Sequence, residues 1–257
     1  MEYAIVQKEL VVPKVEQLKR AFSVSPLLTG LDAQTVAHDA YGILLRGLDV
    51  EQAGTLREAL LREGVETELV GESKLPVIPP AKVVRQVEFY SSHLRIYDPM
   101  RRAALLPWKE ILLIAAGYVR LREPRPHRNA LADPPFHGER RAPHGVSGGK
   151  LRETGSHMLL DLFVNGGATR FSITAEEFTF DHLGTRLTND LALNFVSLIE
   201  DLSQEAPHAA LNRGAYLACQ KSPELFPYPS KAAFNEEITW MLWRIGQLDS
   251  TRTSEYP

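Results

Sequence analysis

Apolar and polar positions first change their rhythm along this chain near residue 82. Before that point apolar side chains recur at helical spacing. Val15, Leu18, Ala21 and Phe22 mark a first helix, which Pro13 can open because proline fits the first helical turn. SVSPLLTG breaks it, and Asp32 stands where it can cap a second helix through Ala40, with Val36 and Ala37 inward. The clearest helix follows Asp49. Val50, Ala53, Leu56, Leu60 and Leu61 form its apolar stripe, Arg57, Glu58, Arg62 and Glu63 its wet face, and Gly64 its stop. Three strand patterns separate these helices: YAIVQKE at 3–9, GILLRGL at 42–48 and the alternating VETELV at 65–70.

GESKLPVIPPAK at 71–82 contains three prolines and predicts an extended connector. Beyond it the period becomes two. Strands are expected at 83–89, 93–98, 102–108 and 110–121, then at 158–164, 169–174 and 177–183, with turns at DPM (98–100) and NGG (165–167). Residues 122–157 have almost no periodicity and predict a mobile loop within this region. Helical spacing returns after Asn189 or Asp190, with Leu191, Phe195, Leu198, Ile199 and Leu202 on one side. A short helix is expected at 212–220 and a final one at 234–248, with a frayed tail from Asp249.

Composition narrows the function classes. The chain has 257 residues, 44% apolar and 24% charged, with a net charge of −3. That balance carries no overall basic footprint for nucleic acid. The single cysteine, Cys219, excludes an internal disulfide framework and a cysteine-rich zinc site. The N-terminus lacks the pattern of a secretory signal. The best apolar run, ILLIAAGYV at 111–119, is strand length and falls short of the roughly 20 residues of a membrane helix. The expectation is a soluble, cytoplasmic protein with no membrane insertion.

Residues able to carry chemistry do not assemble into a motif. His127, His137, His144 and His157 are spaced unlike any zinc site. The same stretch has a local surplus of arginine, but Phe136 is its one aromatic residue, so it does not read as a nucleic-acid surface. Gly148-Gly149-Lys150 lacks the rest of a phosphate loop. Cys219 with His208, and His182 with Asp181, lack a third partner. Trp240 and Trp243 read as core, and Glu236 and Glu237 as favourable charges in the first turn of the last helix. No catalytic residue, metal ligand or cofactor is expected.

Two resemblances add to this reading. Lys14-Val15, Leu18-Lys19, Thr29-Gly30-Leu31, Gly47, Ala53, Leu56, Leu60, Gly64, Glu66 and Glu68 follow the pattern of the C-terminal domain of the bacterial ribosomal stalk protein. The protease-adaptor family that delivers N-degron substrates shares that fold. The resemblance covers about a quarter of the chain and implies a protein-binding domain. Its first helix would be the partner surface, with Lys14, Val15, Leu18 and Lys19 as contact residues. The strands around LLPWKEILLIAAG followed by a closing helix resemble a bacterial pleckstrin-homology-like barrel. Together these imply an α+β chain. A strand-helix-helix-strand-helix-strand domain at 1–71 and a linker at 72–82 precede an antiparallel β-barrel with closing helix at 83–204, and a helical extension occupies 205–257. The expected function is protein interaction or scaffolding with an unknown protein partner. One alternative is a small-ligand or enzyme site between barrel and final helices, near Asn194, Asn212, Arg213, Tyr216 and Tyr228. Another is a ribosome-associated factor.

Overall fold

The computed structural model describes residues 2–39, 41–122, 153–220 and 225–254. β1 (Tyr3–Gln7) is the centre of a three-stranded sheet, antiparallel to β2 (Ile43–Leu48) on one side and β3 (Thr67–Gly71) on the other. Alternation along β1 sends Ile5 to one face and Ala4 and Val6 to the opposite one. Helices α1 (Val15–Phe22), α2 (Gly30–Asp39) and α3 (Val50–Arg62) belong to the Ile5 side, where Leu18, Phe22, Leu56 and Leu60 are fully buried. The Asp49 side chain accepts from the Gln52 N–H at 2.8 Å and starts α3. Gly64 at φ +75° ends it, in the left-handed region open to glycine.

The connector is more structured than its prolines suggest. Leu75 is buried against the first sheet, and Ala81–Val83 forms β4, parallel to β10 (Thr169–Thr174). The expected strand at 83–89 is therefore two, because Val84 turns into the core between β4 and β5 (Gln86–Phe89).

The expected barrel is not closed. β5, β6 (His93–Tyr97) and β7 (Ala103–Pro107) form one antiparallel sheet. β8 (Ile111–Arg122), β9 (Glu153–Val164), β10 and β4 belong to another. β7 and β8 are consecutive but unpaired. A turn of 3₁₀ helix at Trp108–Glu110 carries the chain from one sheet to the next, and the Trp108 indole N–H holds that corner by donating to the Tyr90 carbonyl at 2.9 Å. The two sheets and α4 (Leu191–Glu205) share one core, with Leu94, Ile96, Leu160, Leu162, Phe195 and Ile199 inside it.

Two further expectations need correction. Residues 177–183 are not a strand. They lie across two 3₁₀ turns, Ala175–Glu177 and Asp181–Arg186, and Thr179 alone bridges to Gln86. Phe178, Phe180 and Leu183 all enter the core there, so aromatic packing replaces a ladder. β9 begins at Glu153, inside the expected loop, because the polar run before Met158 pairs with the far end of β8. The rest of that loop, with His127, His137, His144 and most of its arginines, lies outside the described residues.

The last helix, α6, runs from Lys231 to Ser254, longer at both ends than expected. It lies between the sheets. Phe234, Ile238 and Leu242 pack with Leu113, Leu159 and Phe163 of β8 and β9, while Trp240 and Trp243 join Ala4, Val6 and Ile43. No helix among the described residues is long and apolar enough to cross a membrane.

Candidate functional site

The surface expected on α1 begins with its capping. The Lys14 N–H donates to the Gln17 side-chain oxygen at 2.9 Å, and the Gln17 amide donates to the Glu63 carbonyl at 2.7 Å, tying the start of α1 to the end of α3. Leu18 is fully buried in the core, so this expected contact residue is not at the surface. Lys14 is exposed, Val15 is half-buried, and Lys19 is half-buried with its ammonium 2.9 Å from Glu16.

A groove of about 450 Å³ adjoins this turn, lined among others by Gln7, Glu9, Val11, Val12, Gln17 and Arg244. Its rim segment is pinned through the main chain. Trp240 Nε1 donates to the Gln7 carbonyl at 2.7 Å, Gln7 Nε2 to the Val11 carbonyl at 2.6 Å, and the Lys8 N–H to the Glu66 carbonyl at 3.2 Å. On this fixed backbone Val11 is 62% and Val12 47% exposed. Val11 and Val12 lie outside every periodic stretch of the sequence, so no pattern marked them.

The alternative site between sheet and final helices is filled by structure. Asn212 caps α5 (Arg213–Ala218) by accepting from the Ala215 N–H at 2.8 Å. Its amide also pairs both ways with the Ala116 main chain, at 2.8 and 3.0 Å. It donates to the Tyr228 hydroxyl at 2.9 Å, which donates to Glu237 at 2.6 Å; the other Glu237 oxygen accepts from the Arg213 N–H at 2.8 Å. Glu237 is therefore fully buried within α6 rather than a first-turn surface charge, and Glu236 pairs with Arg46 at 2.8 Å. Burial raises the Glu237 carboxyl above its ordinary range, against the hydrogen bonds from Tyr228 and Arg213, and burial raises the Tyr228 phenol too. The Arg213 guanidinium stacks on Tyr41 and Phe226, 5.4 and 5.0 Å from the ring centres. Asn194 instead accepts from Thr188, and Tyr216 is exposed. This network braces the fold.

Other chemical groups are likewise absorbed. Asp161 and Arg170 form a buried ion pair at 2.6 Å on β9 and β10, which no sequence motif marks. Cys219 lies 3.4 Å from the Ser203 hydroxyl, and burial raises its thiol. His182 packs against Phe89 with ring centres 5.2 Å apart; burial lowers its pKa to about 4, so the ring is neutral near pH 7. Among the described residues no three His, Cys, Asp or Glu side chains gather as metal ligands. No family model matches the chain, and neither curated proteins nor solved structures include a match.

Proposed function

We propose that this chain is a protein-interaction module without catalytic activity, whose partner surface runs from the Val11–Val12 groove onto the first turn of α1. The observation that carries the reading is the exposed valine pair on a main chain held by Trp240, Gln7 and Glu66. Apolar side chains on a pre-ordered backbone bind without a large ordering cost. Lys14 and Lys19 would frame the contact with charge, and Val15 would extend its apolar area. The resemblance to the stalk and adaptor fold supports the same helix as a contact element, and makes a ribosome-associated role the particular form we would examine within this reading. The order of β5–β10 and α4 supports reading the second half as an opened relative of the pleckstrin-homology-like barrel.

Affinity capture from lysate tests the proposal, using the full chain beside Lys14→Glu/Lys19→Glu and Val11→Asp/Val12→Asp. A stoichiometric partner lost by both double variants is the expected result. A partner retained by both would move the surface elsewhere, and no stoichiometric partner at all would remove the interaction reading. Co-sedimentation with ribosomes separates the ribosomal form from other partners.

A further inference from the structure

Among the described lysines, Lys8, Lys14, Lys74, Lys82 and Lys109 are exposed, and Lys19 is half-buried with its ammonium 2.9 Å from Glu16. Lys231 combines two properties that none of these share: it is half-buried, and it forms no ion pair with any described residue. Its Nζ lies 5.8 Å from the centre of the Phe234 ring, one turn further along α6. Lys231 is also the first residue of that helix, whose start is capped by Ser230. The Ser230 hydroxyl accepts from the Ala233 N–H at 3.0 Å, and the Ser230 carbonyl accepts from the Phe234 N–H at 3.2 Å. Helix side chains lean toward the N-terminus, so the amine belongs to the positive end of a 24-residue helix. No acidic side chain in the first turn offsets that end.

The charges that act on Lys231 are the buried pair of Asp161 on β9 and Arg170 on β10. These two hold each other at 2.6 Å through one carboxylate oxygen, so the Asp161 charge is already matched by a guanidinium. The other Asp161 oxygen accepts no hydrogen bond, from Lys231 or any other group. Burial lowers the Lys231 pKa from the ordinary lysine range, Asp161 opposes that lowering, and Arg170 adds to it. A lysine taken out of water beside another cation is an activated nucleophile, because more of it is present as the neutral amine.

We propose that Lys231 is a covalent modification site, an amine that accepts a small acyl group from a thioester. The neutral Nζ attacks the thioester carbonyl carbon. The C–N bond forms as the C–S bond breaks, the sulfur leaves with the electron pair as a thiolate, and the proton lost from nitrogen passes to solvent. The product amide is neutral, so the transfer removes an unpaired cation from the positive end of α6 and from the neighbourhood of Arg170. Half-burial against Phe234 restricts the incoming group to a small one. The site is independent of the α1 surface and stands whether or not that surface binds anything.

Acetylation of the full, unmodified chain tests it. The probe is S-acetyl-N-acetylcysteamine, a small uncharged thioester that no surface charge can steer. Digestion with a glutamate-specific protease and mass spectrometry give the acetylation rate at each lysine, with Lys14, Lys74, Lys82 and Lys109 as exposed internal standards. At about pH 7 Lys231 should react several-fold faster than these four, because they are almost wholly protonated there. The advantage should shrink as pH rises toward the ordinary lysine value of 10.5, where every amine becomes neutral. In concentrated urea, which removes burial, helix and neighbours together, the rates should converge. Equal or slower acetylation of Lys231 at about pH 7 would overturn the proposal. So would an advantage that does not change with pH, or one that persists in urea and so owes nothing to the fold.

Discussion

At the scale of single residues, Asn212 does the work of a strand. The free edge of β8 is covered by two short segments, β11 (Ala210–Leu211) opposite Leu113 and Ile114, and β12 (Pro227–Tyr228) opposite Tyr118 and Val119. Between them Ala116 has no strand beside it, and the Asn212 side-chain amide exchanges both bonds with its main chain instead. This leaves no buried peptide group unpaired, which would otherwise cost about 1–3 kcal/mol. The arrangement requires α5 to begin in contact with β8, and Gly214 makes the approach possible: a Cβ there would fall 1.8 Å from the Ala116 carbonyl oxygen. Gly214→Ala should therefore lower stability by about 2–4 kcal/mol in urea unfolding, through forced displacement of packed backbone. Gly54→Ala in α3, where an added Cβ meets nothing within 4 Å, should raise stability by about 0.5–1 kcal/mol. A loss below about 1 kcal/mol at Gly214 would show that α5 can move away from β8 at little cost.

At the scale of elements, what could be read in the sequence depended on whether an element has one apolar side or two. α3 has a capped start, one stripe and a glycine stop, and its helix and core residues follow from spacing. α6 has apolar residues on two sides, because Phe234 and Ile238 meet one sheet while Trp240 and Trp243 meet the other. A helix so placed lacks a single stripe, which hid its role and its length. Glu237 was misread for a related reason: its partners Arg213 and Tyr228 are distant in sequence, and only the fold brings them together. A cleft beside β5 was equally hidden, since Asp181 and His182 come from the Asp181–Arg186 turn and Asp201 and Glu205 from α4. The Asp181–Arg186 turn also has a pH signature. Burial holds His182 at a pKa of about 4 against an ordinary 6.5, with Arg186 opposing protonation and Asp201 and Asp181 favouring it. The unfolded chain thus takes up this proton first. The contribution is fully present above pH 6.5 and is lost as pH falls toward 4. The melting temperature should decline across that window, and His182→Phe, which keeps an aromatic ring beside Phe89, should flatten the decline. Identical slopes for the two proteins would show that His182 is not responsible.

At the scale of the whole molecule, α6 joins the regions on either side of the connector at 71–82. α6 lies between the first sheet and the β8–β9 sheet and supplies buried residues to both. Further ties cross the same region: Arg46 to Glu236, Arg244 to Glu68, and the Trp240 indole to the Gln7 carbonyl. The exposed ion pairs among them contribute little, about 0–1 kcal/mol each. The apolar contact is the larger effect, because a fully buried phenylalanine or isoleucine contributes about 1.5–3 kcal/mol. Without α6, Ala4, Val6, Ile43 and Val70 on one side and Leu113, Leu159 and Phe163 on the other would lose their cover together. Both halves share this cover, and the two should unfold in one transition. The tryptophans report on this directly, since Trp240 and Trp243 lie against the first sheet and Trp108 lies in the far core. Their fluorescence and the far-ultraviolet circular dichroism should give superimposable urea curves with one midpoint. Phe234→Ala, within α6, should shift that midpoint for every probe alike while lowering stability by about 3–5 kcal/mol. Two resolved transitions, or a Phe234→Ala curve in which Trp108 fluorescence and circular dichroism separate, would mean that the halves fold independently and that α6 is only a lid on one of them.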